Sequence, residues 1–277
     1  MIDRRPLVLA VAPNGARKTK LDHPVLPIVP DELAACAAAC RDAGASMIHL
    51  HVRDALGQHS LDIADYKAAL GAVHKTVGHS LVIQVTSESV GKYGPAAQMA
   101  MVRGLRPEAV SIALRELFSA ETPETEIARF LSWARDENIV VQFILYEPQD
   151  VLKYIDLRVR EVIGPDRHWI LFVLGRYGGG DSSFATLLPM YGIWLANAAL
   201  TANIPWAVCG FGQSETECAL GAAALGGHVR IGFENNTLLP DGRTARDNAE
   251  LIGFFARLAK DLGHRLAQVD DLRNMFA

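Results

Sequence analysis

The sequence predicts a (β/α)₈ barrel, and three observations lead to it. Short apolar segments alternate with longer amphipathic segments along the whole chain. The apolar segments are rich in Val, Ile and Leu with little alternation, which is typical of parallel strands buried on both faces. Eight such pairs in 277 residues match the usual size of this barrel, about 250 residues. No linker or change in composition interrupts the chain, so we expect one domain over residues 1–277.

The predicted strands are, in chain order, Leu7–Ala12, Met47–Val52, Leu81–Thr86, Ala109–Ala113, Val140–Leu145, Trp169–Leu174, Trp206–Cys209 and Val229–Gly232. The helices that follow them are predicted at 30–43, 61–77, 95–104, 123–136, 149–162, 183–200, 214–225 and 244–263. Pro30 begins the first helix, and Gly44 and Gly263 follow the first and last as C-caps. The rival fold, a doubly wound open sheet, usually has a Gly-x-Gly-x-x-Gly turn after its first strand. Here that turn is Ala12-Pro-Asn-Gly-Ala, with a single glycine.

Composition excludes several classes of protein. The chain has 27 Lys and Arg against 31 Asp and Glu, a net charge of −4, which argues against a nucleic-acid partner. No apolar run reaches the roughly 18–20 residues of a membrane helix, and no signal peptide precedes the first strand. We therefore expect a cytoplasmic protein with no membrane partner. The sequence contains neither a Gly-x-Ser-x-Gly nucleophile elbow nor a Walker A motif.

The most informative local pattern closes the second predicted strand, in Ile48-His-Leu-His-Val-Arg-Asp54. Side chains alternate along a strand, so His49 and His51 are predicted on one face, near its carboxyl end. Two imidazoles at this spacing can reach one cation. The alternative is a pair of histidines that form hydrogen bonds in a polar barrel mouth.

A third ligand is predicted after the last strand, in Gly227-His-Val-Arg-Ile-Gly-Phe-Glu-Asn-Asn236. In a closed barrel this loop lies on the same face as the loop after the second strand. Glu234 would complete a set of two histidines and one carboxylate, which suits Zn²⁺, Fe²⁺ or Mn²⁺. Arg230 would point into the barrel, where its charge requires a carboxylate of the protein or of a substrate.

Further polar residues stand at the predicted strand ends, the face on which barrel enzymes place their sites. They include Thr86, Ser87, Glu88, Arg115, Glu116, Tyr146, Glu147 and Arg176. Gly178–Gly180 predicts a phosphate-binding turn, a mobile lid or an ordinary flexible loop.

Several of these segments together resemble the β-keto acid cleavage enzymes, the family typified by 3-keto-5-aminohexanoate cleavage enzyme. The resemblance runs from about residue 5 to 270. It is carried chiefly by His-x-His-x-Arg-Asp at 49–54 and by Gly-His-x-Arg-x-Gly-x-Glu-x-Asn at 227–236, in that order. Shorter matches are Ala12-Pro-Asn-Gly-Ala, Leu26-Pro-Ile-Val-Pro-Asp-Glu32 and Trp206-Ala-Val-Cys-Gly-Phe-Gly212.

The resemblance implies a (β/α)₈ barrel that assembles into homo-oligomers, either dimers or tetramers. It implies Zn²⁺ held by His49, His51 and Glu234. The implied activity is an acyltransferase reaction of the Claisen type, in which a β-keto acid and acetyl-CoA give acetoacetate and a new acyl-CoA. Arg230 matches a family arginine that helps to position the base and the charge.

This chain departs from the type member at the residues that do the chemistry. The family's aspartate after the metal-binding glutamate, its expected general base, is here Asn235, which cannot take up a proton at neutral pH. An early glutamate is Arg17, and a Ser-Thr-Gly-Gly segment is Thr86-Ser-Glu-Ser89. We predict that Glu88 or Glu116 replaces the base, unless Arg17 and Glu88 simply pair with each other.

Glu147 is the third candidate base, and the predicted substrate-binding residues are Asn14, Thr86, Ser87, Glu147 and Asn235. Two other functions stay open. One is a metal-dependent aldolase or hydrolase that acts on a keto acid without CoA, and the other is a non-catalytic barrel that binds a metabolite.

Overall fold

The computed structural model describes residues 5–120, 122–177, 179 and 181–276. Eight parallel strands close into a barrel, as the sequence predicts: β1 (Leu9–Val11), β2 (Met47–Leu50), β5 (Val82–Thr86), β6 (Ala109–Ala113), β7 (Val140–Leu145), β8 (His168–Leu174), β9 (Trp206–Gly210) and β10 (His228–Ile231). β1 pairs with both β2 and β10, which closes the ring. Of the predicted Gly178–Gly180 turn, Gly178 and Gly180 lie outside the described residues.

The α-helices of the described residues are α1 (Pro30–Ala43), α2 (Ile63–Val77), α3 (Pro95–Leu105), α4 (Leu114–Leu117), α5 (Glu124–Asp136), α6 (Pro148–Val159), α7 (Leu187–Ala196), α8 (Ala198–Thr201), α9 (Glu215–Ala224), α10 (Asn248–Asp261) and α11 (Val269–Asn274). Gly44 ends α1 with a φ of 119°, a conformation that glycine adopts without strain. None of the helices in the described residues has both the length and the hydropathy needed to span a membrane.

The second predicted strand, Met47–Val52, is wrong at its end, because β2 stops at Leu50. The chain then forms a small antiparallel hairpin of β3 (Val52–Arg53) and β4 (His59–Ser60). Asp54 makes this turn, since its Oδ1 atom accepts hydrogen bonds from the backbone N–H groups of the two residues Leu56 and Gln58.

The predicted helix at 183–200 is also wrong, because it is divided. A 3₁₀ turn at Phe184–Thr186 precedes α7, and α7 and α8 are separate. The break falls at Asn197, whose side-chain amide donates to the carbonyl of Ile193. Asparagine competes in this way for backbone acceptors, which makes it a poor residue inside a helix.

The helix α11, which the sequence analysis missed, closes the amino-terminal end of the barrel. Leu272 is 2% exposed and packs in the inner cluster with Met47 and Trp169. The ring of Phe276 lies 5.9 Å from that of Trp169. The opposite end, at the carboxyl ends of the strands, is therefore the one available for a site.

Replacing Leu272 with alanine is expected to lower the free energy of unfolding by about 2–5 kcal/mol, because it leaves a cavity beneath the barrel. Urea denaturation would measure the loss. Leu195→Ala is the matched control, since Leu195 is 57% exposed and should cost less than about 1 kcal/mol. An equal, small loss in both variants would contradict the packing of α11 described above.

Candidate metal centre and active site

Three buried side chains from distant parts of the chain meet at the carboxyl end of the barrel. His49 lies on β2, His51 in the link to β3, and Glu234 follows β10. The two Nε2 atoms of the histidines are 3.1 Å apart. Oε2 of Glu234 lies 3.6 Å from Nε2 of His49 and 3.5 Å from Nε2 of His51. These donor atoms form a nearly equilateral triangle.

The triangle fits a metal ion. Ligand atoms at about 2.0–2.2 Å from a tetrahedral ion are separated from one another by about 3.3–3.6 Å. Oε2 of Glu234 is buried and has no hydrogen-bond partner within the described part of the chain. A buried, unpartnered carboxylate oxygen that faces two imidazole nitrogens is costly unless a cation satisfies all three. His49, His51 and Glu234 are thus a candidate three-residue metal site.

The tautomer of His49 is set by the hydrogen-bond partner of its Nδ1 atom. Nδ1 lies 2.8 Å from Oε1 of Gln84, and the amide nitrogen of Gln84 donates to Oε1 of Gln142 at 3.2 Å. Gln84 therefore accepts from Nδ1, which leaves the lone pair of Nε2 for a metal. Burial, and then the charge of Arg230, hold the pKa of His49 well below its usual value, so the ring is neutral.

Arg230 supplies a buried positive charge beside the ligands. Its Nη2 lies 3.3 Å from Oε1 of Glu234 and 3.4 Å from Sγ of Cys209. Burial alone would raise the pKa of Glu234, but Arg230, followed by His51 and His49, holds it well below its usual range. Nε and Nη1 of Arg230 have no partner among the described residues. Arg230 therefore has unused donors for an anionic ligand.

Glu88 flanks the second histidine. Its Oε2 lies 3.7 Å from Nδ1 of His51, a nitrogen that has no hydrogen-bond partner in the described residues. Burial raises the pKa of Glu88, the nearby His51 opposes this, and Glu234 adds to it. A carboxylate with a raised pKa beside a metal site is well placed to accept a proton.

These groups share one cavity of about 330 Å³. It is lined by Arg17, His49, His51, Thr86, Glu88, Glu116, Ile144, Tyr146, Val173, Gly175, Arg176, Tyr177, Phe211, Arg230 and Glu234. Its wall combines a metal site, cationic and acidic side chains, and apolar and aromatic rings. Such a mixture suits a small, negatively charged ligand with an apolar portion.

Comparison with known proteins identifies the family. A model of the beta-keto acid cleavage enzymes matches residues 6–277. The chain belongs to this family. It is 26% identical to a 3-keto-5-aminohexanoate cleavage enzyme of Fusobacterium nucleatum, over 98% of this chain and 97% of the relative. It is 25% identical to a 3-oxoadipate:acetyl-CoA acetyltransferase of Cupriavidus necator, over 98% and 95% of the two chains.

A solved structure of related shape supports the fold. The ternary complex of ObcA with a C4-CoA adduct and oxalate aligns with a TM-score of 0.74 and 16% identity. The alignment covers 91% of this chain and 67% of the ObcA chain. At this identity the likeness concerns the barrel alone.

Not all of the residues predicted for the beta-keto acid cleavage site line the cavity. Thr86 does, and its Oγ1 accepts from the backbone N–H of Glu88 at 3.2 Å. Ser87 and Asn14 are fully buried behind the wall, where they donate to the carbonyls of Ser111 and His51. Their role in substrate binding stays a prediction.

The other two candidates also lie outside the lining. Glu147 pairs with Arg115 at 2.8 Å on the outer rim. Asn235 is buried, and its amide donates to the carbonyl of Arg230 at 3.4 Å. Arg17 lies 5.5 Å from the ring of Tyr177, and no ion pair links it to Glu88 in the described residues.

Glu116 has a different environment from Glu88. Its Oε2 accepts from the backbone N–H of Ser89 and from the amide of Gln98, both at 3.0 Å. Burial raises its pKa, the bond from Ser89 lowers it, and Glu88 raises it further. Glu116 therefore holds the loop after β5 in place while it lines the cavity.

Glu215, which no sequence motif indicates, supports the loop that carries Glu234. Its carboxylate accepts from the backbone N–H of Gly232 at 3.0 Å and from the amide of Asn236 at 3.3 Å. Burial raises its pKa to about 8, although these hydrogen bonds oppose the shift. The backbone N–H of Glu234 itself donates to the carbonyl of Ala12, at the end of β1. The metal-binding loop is thus fixed on two sides.

Gly15, in the loop after β1, permits the loop that carries Glu234 to approach closely. Gly15 has a φ of 63°, in the left-handed region. A Cβ atom at Gly15 would lie 2.3 Å from the hydroxyl of Tyr177 and 2.7 Å from Cγ of Glu234. Only a residue without a side chain fits here.

Proposed function

We propose that this chain is a Zn²⁺-dependent acyltransferase, which exchanges acyl groups between a β-keto acid and acetyl-CoA to give acetoacetate and a new acyl-CoA. The observation that carries the proposal is the buried triangle of His49, His51 and Glu234, which stands beside the unused donors of Arg230 in one cavity. Family membership and the names of the relatives, which include an acetyl-CoA acetyltransferase, support it.

Three groups in the cavity would act in this reaction: the metal ion, Arg230 and Glu88. Zn²⁺, when bound, would polarise the keto oxygen and hold the keto acid as a chelate. Nε and Nη1 of Arg230 would bind an oxygen of the substrate and offset its negative charge. Glu88 would remove the carbon-bound proton that must leave to form the attacking carbanion.

The contacts favour Glu88 over Glu116 as the base. Oε2 of Glu116 already accepts two hydrogen bonds, which stabilise its charged form and weaken it as a base. The carboxylate of Glu88 accepts no hydrogen bond from any residue that the structure describes, and its Oε2 lies 3.7 Å from Nδ1 of His51. Asn235, at the position of the family's aspartate, cannot take up a proton at neutral pH.

Elemental analysis of the purified, untagged protein, combined with a screen of β-keto acids with acetyl-CoA, tests this function. We expect about one zinc per chain and acyl exchange that depends on acetyl-CoA. His49→Ala should lose both. His74→Ala, at an exposed histidine on α2, is the matched control and should keep both.

The other outcomes would each replace the proposal. Iron or manganese together with turnover in the absence of CoA would identify an aldolase or hydrolase. Binding of keto acids without any turnover would identify a metabolite-binding barrel. Assembly into homo-oligomers and a cytoplasmic location are proposed on the family resemblance alone.

A further inference from the structure

The hydroxyl of Tyr177 is a buried donor without an acceptor. Tyr177 follows β8 and lines the same cavity as the metal site. Its hydroxyl oxygen is buried and has no hydrogen-bond partner among the described residues. An unpartnered polar group in such a position destabilises the folded protein. A catalytic role, in which a ligand accepts the hydrogen bond, is one established reason for a native protein to keep such a group.

The hydroxyl lies close to the metal site. A Cβ built on Gly15 would be 2.3 Å from this oxygen and 2.7 Å from Cγ of Glu234. The hydroxyl oxygen and that carbon are therefore at most about 5 Å apart. A ligand bound at His49, His51 and Glu234 would have its oxygen atoms within reach of the hydroxyl.

The ring is held in this position by its neighbours. Phe211 contacts it edge to face, with the ring centroids 5.0 Å apart. The guanidinium of Arg17 lies over it at 5.5 Å. Burial, and then the charges of Glu234 and Glu88, raise the pKa of Tyr177 well above its usual value. The hydroxyl therefore keeps its proton at neutral pH and can donate a hydrogen bond to an acceptor atom of a bound ligand.

We propose that Tyr177 is a further catalytic residue, which donates a hydrogen bond to the oxygen of the bound β-keto acid that gains negative charge during the reaction. This inference rests on the proposed function. The hydrogen bond strengthens as the charge develops, and a fixed donor of this kind needs no reorganisation when the reaction occurs. No proton is transferred from the tyrosine.

Tyr177→Phe tests the inference, because it removes only the hydroxyl oxygen. The matched control is Tyr191→Phe, on α7 and away from the cavity. We expect kcat for acyl exchange to fall roughly 10²-fold in Tyr177→Phe, with KM within about threefold of the wild type. Zinc content and the thermal midpoint should stay unchanged, within about 2 °C. The control should match the wild type in all four quantities.

A binding measurement adds a readout that does not depend on turnover. Acetoacetate, titrated calorimetrically into the zinc-loaded protein without CoA, should bind Tyr177→Phe within about threefold of the wild-type affinity, since the ground state carries little of the developing charge. A kcat within threefold of the wild type, or a rise in KM alone, would overturn the catalytic role. A wild-type protein without zinc or turnover would overturn the proposed function and this inference together, whereas an active wild type and an equally active Tyr177→Phe would overturn the inference only.

Discussion

Replacing Gly15 with alanine is expected to remove the bound metal while leaving the barrel folded. The new Cβ would lie 2.3 Å from the hydroxyl of Tyr177 and 2.7 Å from Cγ of Glu234, so at least one of the two side chains must move. The backbone at Gly15 cannot easily move away from them, because its carbonyl accepts a hydrogen bond from Arg53 at 2.6 Å. Metal ligands must be held within about 0.5 Å of their productive positions. We therefore expect zinc affinity to fall by at least about 10²-fold, and acyl exchange to fall with it.

The backbone cost of this substitution can be separated from the steric one. Gly57, in the turn between β3 and β4, also has a positive φ, 74°, but nothing lies within 4 Å of a Cβ built there. Gly57→Ala should cost about 1–2 kcal/mol of stability and leave zinc affinity unchanged. Competition with a chromophoric chelator measures the affinity of both variants. An unchanged zinc affinity in Gly15→Ala would contradict the close packing of Glu234 against the loop after β1.

Replacing Glu88 with glutamine is expected to lower kcat for acyl exchange by about 10²–10⁴-fold, the usual contribution of a general base. Glutamine keeps the shape of the side chain but cannot accept the proton. Because Glu88 lies 3.7 Å from a ring nitrogen of His51, the variant should also bind zinc up to about tenfold less tightly. The rates should therefore be compared at saturating zinc, so that a loss of metal is not mistaken for a loss of the base.

Glu116→Gln is the matched control for this experiment. Glu116 lines the same cavity, and burial raises its pKa as well, but its carboxylate holds the loop after β5. We expect its kcat to stay within about tenfold of the wild type, with a loss of stability of about 1–3 kcal/mol from the broken hydrogen bonds. Equal losses of kcat in the two variants, or an active Glu88→Gln, would show that another group acts as the base.

The barrel and the candidate metal site could be predicted from the sequence for the same physical reason. The alternation of apolar strands and amphipathic helices is a local pattern, and strands of a barrel end on a common face. Once the fold was predicted, His49, His51 and Glu234 had to lie on that face, although they are far apart along the chain. The family model and the arrangement of the strands confirm the fold.

The parts that were missed depend on tertiary contacts. The helix α11 has six residues, too few to show a helical period, and it is stabilised by packing beneath the barrel. β2 ends before Val52 because Val52 pairs with Ser60 in the hairpin that follows, and this pairing depends on residues beyond the predicted strand.

The supporting residues of the site were missed for a related reason. Gln142, Tyr177 and Glu215 form no motif in the sequence, and nothing local distinguishes them from other polar residues near strand ends. Their roles follow from the neighbours that the closed barrel gives them: an amide chain to His49, a cavity beside Glu234 and the backbone of Gly232. Such roles become visible only when the distances are known.

The candidate metal ligands lie on or shortly after the two strands that flank β1, namely β2 and β10. This arrangement has a consequence for the order of folding. His49 lies on β2 and His51 directly after it, whereas Glu234 follows β10, so the three side chains meet only when β2 and β10 both pair with β1. Among the strand pairings of the barrel, that of β1 with β10 has the highest sequence separation, so its loop-closure entropy is among the largest. A chain in which β10 has not paired with β1 can bring together at most two of the three candidate ligands. High-affinity metal binding by all three residues would then require the closed ring, and a bound ion would slow its reopening.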